Sequence, residues 1–222
     1  MAGKATKAPS PAQIYLISPM LGDAAKFAPD FEAALDAAEV ACALVRMDGI
    51  DPGAVKKTVL TLGRSAQERG VALLIEADAR DVARAGADGM HFRATGDAPE
   101  EALSEALQAL KPDRIVGAGG LRTRHAAMSA GEADVDYVMF GEPTLDGWVA
   151  PFEERRDRAA WWSEIFNVPC VVFAQTIGEA QALAETGADF VAVGDAIWDD
   201  PRGPALAMRD FAAAVRAAVR PA

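Results

Sequence analysis

The stretch Thr186-Gly-Ala-Asp-Phe-Val-Ala-Val-Gly-Asp-Ala-Ile197 decides the fold. Gly187 is placed to end a helix, because a helix C-terminus often needs a residue in the left-handed conformation. The segment 190–193 that follows is apolar at every position, which is typical of a strand buried on both faces, as in a parallel sheet covered by helices. The stretch therefore predicts a helix, then a buried parallel strand, then a polar loop.

The same order of features recurs upstream, in Gly86-Ala-Asp-Gly-Met-His-Phe92 and in Val135-Asp-Tyr-Val-Met-Phe-Gly141. Along the whole chain, eight apolar segments alternate with eight helical segments. The predicted strands are residues 14–17, 41–45, 71–75, 89–92, 114–116, 137–140, 169–173 and 190–193. This alternation predicts an α/β fold, a single (β/α)8 TIM barrel with its functional side chains just after the strands. An open, doubly wound sheet is the alternative.

Composition and charge narrow the class of protein. The chain has 222 residues, of which 51% are hydrophobic and 25% charged, which fits one globular domain. We expect residues 1–11 to form a flexible tail and residues 12–222 to form the barrel. The formal net charge of -11 opposes binding to nucleic acid or to an anionic membrane.

The sequence also indicates where the protein resides and the state of its cysteines. No apolar run approaches the roughly 20 residues of a membrane span, and the N-terminus lacks the apolar core of a signal peptide. We therefore expect a cytoplasmic protein. Cys42 and Cys170 both lie in apolar, strand-like runs, so we interpret them as small buried hydrophobic residues.

Three motifs follow one another along the chain. The first is the run Leu73-Leu-Ile-Glu-Ala-Asp-Ala-Arg-Asp-Val-Ala83, followed by Gly86-Ala-Asp-Gly-Met-His91. The others are Asp136-Tyr-Val-Met-Phe-Gly141 and Gly187-Ala-Asp-Phe-Val-Ala-Val193. In this order they resemble the patterns IINDxxDLAxxxGADGVHLGQ, DYxxFGP and GADGVAVV of the thiamine phosphate synthase and thiazole tautomerase family. These matches extend over nearly the whole chain in the family's order and spacing.

The resemblance implies a TIM barrel and a reaction. Family members couple hydroxymethylpyrimidine pyrophosphate with thiazole phosphate and release pyrophosphate with Mg²⁺, whereas the related tautomerases isomerise the thiazole. Such a coupling needs a metal on the leaving pyrophosphate, and cations or backbone amides on every phosphate. We therefore expect a transferase of thiamine biosynthesis with a small phosphorylated ligand at the barrel mouth, and a homo-oligomeric state is left open.

Four side chains match the family's catalytic and metal positions. Arg46 is what remains of a Gln-x-Arg-x-Lys motif after the second strand, and His91 stands at the family's histidine. The resemblance makes both candidate catalytic residues, with Arg46 also binding substrate. Asp78 matches a metal-binding aspartate, and Asp97 matches a second one with a shift of one residue, so both are candidate Mg²⁺ ligands.

Three glycines stand at the ends of strands where the resemblance places substrate. Gly119 replaces the serine that binds pyrophosphate, Gly141 follows the sixth strand, and Gly194 begins the last phosphate loop. These three are the further candidate substrate-binding residues.

Other positions depart from the family pattern, and each departure removes a phosphate ligand. Asp48 replaces a lysine, Asp195 replaces a serine, and no lysine follows Lys111. The family's Ile-Gly-Gly-Ile phosphate loop reads Ala174-Gln-Thr-Ile177. We therefore expect weak or lost synthase activity, and the alternative is a catalytically inactive paralogue that binds a small ligand or a partner as a regulator.

The candidate residues also have structural interpretations. Asp78 and Asp97 could cap the helices that follow them. Arg46 could pair with Asp48 or Glu76 across the barrel mouth. His91 could be a core histidine packed beneath the mouth.

Overall fold

The strands form a closed barrel. The computed structural model describes residues 11–47 and 51–218, in which eight parallel strands pair in chain order and β1 pairs with both β2 and β8. The strands are β1 (Gln13–Leu21), β2 (Cys42–Met47), β3 (Ala72–Ile75), β4 (Gly89–Arg93), β5 (Ile115–Gly119), β6 (Tyr137–Phe140), β7 (Cys170–Ala174) and β8 (Phe190–Val193). The predicted single TIM barrel is confirmed, and the open sheet is excluded. The predicted tail, apart from Pro11, and Asp48 lie outside the described residues.

Helices surround the barrel and connect its strands. They are α1 (Ala24–Ala37), α2 (Pro52–Gln67), α3 (Ala79–Ala85), α4 (Pro99–Leu110), α5 (Arg124–Glu132), α6 (Phe152–Ile165), α7 (Ala180–Ala184), α8 (Asp195–Trp198) and α9 (Pro204–Arg216). A 3-10 turn, Ile177–Glu179, leads into α7. Gly187 has a φ of +89°, as expected of the residue that ends a helix before a buried strand. The short helix α8 lies between β8 and α9, and its N-cap residue is Gly194. None of the described helices is long and apolar enough to span a bilayer.

The prediction ended β5 too early, at residue 116, because Gly117-Ala-Gly119 looks like a loop. Gly117 and Ala118 in fact pair with Tyr137 and Val138 of β6. A Cβ at position 117 would overlap the ring of Tyr137, so the glycine leaves space for a neighbouring aromatic side chain inside the barrel. The glycine here marks close packing in a strand, not a turn.

The apolar core has two layers. The larger one lies between the strands and the helices, and a smaller one fills the inside of the barrel with residues such as Ile17, Leu44, Val171 and Phe173. Cys42 and Cys170 are both buried and are not joined in a disulfide, as predicted. Burial raises the pKa of the Cys42 thiol, which keeps this thiol protonated and unreactive.

Gly89 should be indispensable for the pairing of β4 with β5. A Cβ at this position would overlap the backbone carbonyl oxygen of Ile115 and lie 2.7 Å from the Ile115 Cβ. Gly89→Ala is therefore expected to lower the free energy of unfolding by about 1–3 kcal/mol, because the strands must move apart. Gly22→Ala is the matched control, since nothing lies within 4 Å of a Cβ there. Equal urea midpoints for the two variants would contradict this packing.

Candidate active site

Charged side chains from four strand ends meet at the carboxyl end of the barrel. Glu76, which follows β3, lies between Arg46 of β2 and Arg93 of β4. Its Oε1 accepts a hydrogen bond of 2.5 Å from Arg93 Nη2, and its Oε2 lies 3.9 Å from Arg46 Nε. The backbone N–H of Arg46 donates to the Ser18 hydroxyl oxygen at 2.9 Å, which fixes the end of β2 against β1. One carboxylate thus pairs with both arginines in a largely buried setting and balances one of their two positive charges.

A second carboxylate, Glu142, enters the same cluster from the end of β6. It is buried, accepts a hydrogen bond from the Gly120 backbone N–H, and lies 3.8 Å from His91 Nε2 and 4.0 Å from Arg93 Nη1. Burial raises the pKa of this carboxyl, but His91, Arg93 and the Gly120 amide together outweigh burial and hold the pKa below its usual range. A Cβ at Gly119 would overlap both Glu142 Oε1 and His91 Nε2, so a glycine there is what admits the carboxylate.

His91 belongs to a buried hydrogen-bonded chain beneath this cluster. Its Nδ1 lies 2.9 Å from the Tyr137 hydroxyl, which in turn lies 2.7 Å from the Tyr15 hydroxyl. Burial raises the pKa of both tyrosines well above the usual range, so both stay neutral. The side chain of His91 is 1% exposed, which matches the interpretation of a core histidine beneath the mouth. A catalytic role for His91 stays a prediction.

Unused donor capacity remains at the mouth. Within the described parts of the chain, three buried side-chain nitrogens have no hydrogen-bond partner: Arg46 Nε, Arg93 Nε and His91 Nε2. Buried polar atoms usually have a partner, so these positions mark where a ligand or water would be bound. The cluster therefore has nitrogens that can still form hydrogen bonds, while Glu76 and Glu142 already balance the charge of its two arginines.

The opposite side of the mouth, at the ends of β7 and β8, is organised by Arg155 and Glu179. The Glu179 Oε2 accepts hydrogen bonds from the backbone N–H of Gln175 at 2.7 Å and of Thr176 at 3.4 Å. Arg155 Nη1 and Nη2 donate to the same carboxylate at 3.0 and 3.1 Å. Burial raises the pKa of Glu179, but these donors outweigh it and lower the pKa below its usual range.

Two of the predicted substrate-binding glycines lie on this side. Gly141 has a φ of +81°, and a Cβ there would overlap the Arg155 side chain, so the glycine makes room for that arginine. Gly194 is buried directly before α8, with Asp195 exposed as the first residue of that helix. Gly119, the third, lies against Glu142 as described above. Substrate binding by these glycines stays a prediction.

The two candidate metal ligands are exposed. Asp78 caps α3 by accepting a hydrogen bond of 2.9 Å from the Arg80 backbone N–H, as in its structural interpretation. Asp97 precedes α4, whose cap residue is Ala98, so it is not the side-chain cap that we considered. Among residues 11–47 and 51–218, no group of three or more His, Cys, Asp or Glu side chains is placed to hold a metal ion. Two carboxylates can still serve Mg²⁺ when substrate phosphates and water supply its other ligands, so Mg²⁺ binding stays a prediction.

Sequence reasoning missed four charged residues of the site: Arg93, Glu142, Arg155 and Glu179. Signals existed for three of them. Arg93 stands at the glycine of the family's HLGQ segment, where HLG reads His-Phe-Arg in this chain, and Glu142 stands at the proline of DYxxFGP. The spacing Thr176-x-x-Glu179 is a capping-box signature.

Comparisons with known proteins agree with this architecture. The family model described as thiamine monophosphate synthase matches residues 14–197. A thiamine-phosphate synthase of Rhodospirillum centenum is 38% identical over 201 residues, covering 90% of this chain and 95% of that protein. One of Hyphomonas neptunium is 36% identical over 210 residues, covering 90% and 91%. The structure of a thiamine phosphate pyrophosphorylase from Pyrococcus furiosus superposes with a TM-score of 0.74 at 19% identity, covering 92% of this chain and 95% of that one, which shows a common fold.

Proposed function

Because the chain belongs to the thiamine monophosphate synthase family, we propose that its barrel mouth binds a small ligand of thiamine biosynthesis and catalyses the release of pyrophosphate only weakly. The observation that carries this proposal is the placement of Glu76 and Glu142 on Arg46 and Arg93. Two of the three unpartnered nitrogens belong to these arginines, and both arginines already face an internal carboxylate. An incoming pyrophosphate would have to compete with these carboxylates.

The size of the repulsion between pyrophosphate and these carboxylates argues against efficient coupling. Two like charges about 4 Å apart repel by about 4 kcal/mol at an effective dielectric constant of about 20. Pyrophosphate placed near Arg93 would meet Glu142 at about that range, since the carboxylate lies 4.0 Å from Arg93 Nη1. The attraction to the arginines is offset by this repulsion, so charge developing on a leaving group gains little stabilisation.

A ligand-binding protein without catalysis, acting as a regulator, is the second candidate function. The same neutralised arginines favour it, because three unpartnered nitrogens can still bind a ligand without driving the departure of a charged group. Formation of thiamine phosphate by the purified protein separates the two candidates: a slow but measurable rate supports the first, and none supports the second.

Asp78 and Asp97 are the residues that we propose to hold Mg²⁺, which when bound would offset the charge of a pyrophosphate. We expect Mg²⁺ with pyrophosphate to bind Asp78→Asn at least about tenfold more weakly than wild type, because even partners of metal ligands typically contribute that much. Asparagine still caps α3, so the fold should persist. Calorimetry on wild type, Asp78→Asn and the control Asp113→Asn, an exposed site ahead of β5, is the measurement. Equal binding by wild type and Asp78→Asn would remove Asp78 from the site.

A further inference from the structure

The Glu179 carboxylate binds backbone amides of the loop that follows β7. Glu179 folds back from the 3-10 turn and forms a capping box with Thr176. In a capping box, the Glu179 carboxylate accepts a hydrogen bond from the Thr176 amide, which is 3.4 Å long here. Glu179 Oε2 also accepts a shorter bond, of 2.7 Å, from the Gln175 amide. The backbone N–H groups of Gln175 and Thr176 are therefore satisfied internally.

Arg155, the cation on this side of the mouth, is held by internal hydrogen-bond partners. Arg155 is 1% exposed, and its Nε donates to the Ala150 carbonyl oxygen at 2.8 Å while Nη1 donates to the Phe173 carbonyl oxygen. The remaining donors face Glu179. Turning Arg155 toward a ligand would break bonds to two buried carbonyl groups, so this guanidinium is held away from the mouth.

The neighbouring strand adds negative charge. Ala174 of β7 pairs with Val193 of β8, which places Gln175 beside Gly194 at the end of the barrel. The next residue, Asp195, is exposed. A phosphate at this place would approach the Glu179 carboxylate and the strand end that carries Asp195, while the Gln175 and Thr176 amides and the nearby guanidinium are already bonded.

We propose that Glu179 is a specificity-determining residue for the β7–β8 side of the mouth. Because of Glu179, this side accepts an uncharged ligand group, such as a hydroxyl group, and rejects a phosphate. The identity of that ligand rests on the proposed function: the pair of compounds that tests it is thiazole phosphate and the alcohol that remains when its phosphate is removed. A hydroxyl group avoids the repulsion from Glu179 and Asp195 and can donate to either carboxylate.

Titration with inorganic phosphate tests the role of Glu179 independently of any thiazole. Wild type, Glu179→Gln and the control Glu185→Gln, which lies at the end of α7 and bonds Gln181, are compared by calorimetry. Removal of the charge should let Glu179→Gln bind phosphate at least tenfold more tightly than wild type, while Glu185→Gln stays within twofold of wild type. Equal phosphate affinity in wild type and Glu179→Gln would overturn the proposal.

A second measurement on the wild type covers the case in which Glu179→Gln fails to fold. The thiazole alcohol should bind at least tenfold more tightly than thiazole phosphate, and a phosphate that binds as tightly as the alcohol, or more tightly, would overturn the proposal. Failure of the proposed function would show elsewhere, as rapid thiamine phosphate formation, so the two failures are distinguishable.

Discussion

Purified protein should form thiamine phosphate from hydroxymethylpyrimidine pyrophosphate and thiazole phosphate at least a hundredfold more slowly than an efficient family member. The Rhodospirillum centenum protein, 38% identical, is a suitable reference at equal concentration. Loss of a single preorganised donor to a developing charge typically costs a hundredfold or more in rate. Here Glu142 accepts a hydrogen bond from the Gly120 amide and faces Arg93, and Glu76 faces both arginines.

The folded state of the protein is checked by a cooperative thermal transition under the assay conditions, so that a low rate is not mistaken for unfolding. A rate within about tenfold of the reference, equivalent to about 1.4 kcal/mol in the activation barrier, would contradict the prediction. It would mean that the two glutamates move away when the substrates bind and release the arginines.

Arg155→Met should lower the free energy of unfolding by about 3–5 kcal/mol, because it removes the donor to two carbonyl oxygens and leaves the partly buried Glu179 carboxylate without its cation. The arginine is 1% exposed and also bonds the carbonyl oxygens of Ala150 and Phe173. Arg156→Met is the matched control on the same helix. Its side chain is 44% exposed and pairs with Glu153 and Asp157 at the surface, so its loss should cost no more than about 1 kcal/mol.

Urea denaturation of both variants measures the difference. A second variant, Arg155→Met with Glu179→Met, should recover part of the stability, since removal of both partners costs less than removal of one. If Arg155→Met and Arg156→Met lost equally little, the buried role of Arg155 would be wrong.

The fold was predictable because its signals are local. Gly86 and Gly187 both adopt positive φ at helix ends, and the apolar runs that follow form β4 and β8. The strand boundary at Gly117 was missed because the reason for that glycine is the ring of Tyr137, which is distant in sequence. A local pattern does not carry this information.

The site was less predictable because its charges meet only when the barrel closes. The pairing of Arg46 with Glu76 was one of the interpretations considered, since adjacent parallel strands end side by side. The position of Glu142 depends on β5 lying beside β6 and on Gly119 having no side chain, and neither condition can be seen in the residues around 142. Arg155 lies on a helix rich in charged residues, where no periodic pattern separates the buried arginine from its exposed neighbours.

The most direct test of the central claim is the affinity for inorganic pyrophosphate of wild type and Glu142→Gln, measured by calorimetry at neutral pH. Glutamine keeps the shape and can accept from the Gly120 amide, so the variant removes mainly the charge. Glu132→Gln, an exposed site on α5, is the control. If internal carboxylates neutralise the mouth, Glu142→Gln should bind pyrophosphate at least tenfold more tightly than wild type and Glu132→Gln. Wild-type protein that binds pyrophosphate as tightly as Glu142→Gln would contradict the claim.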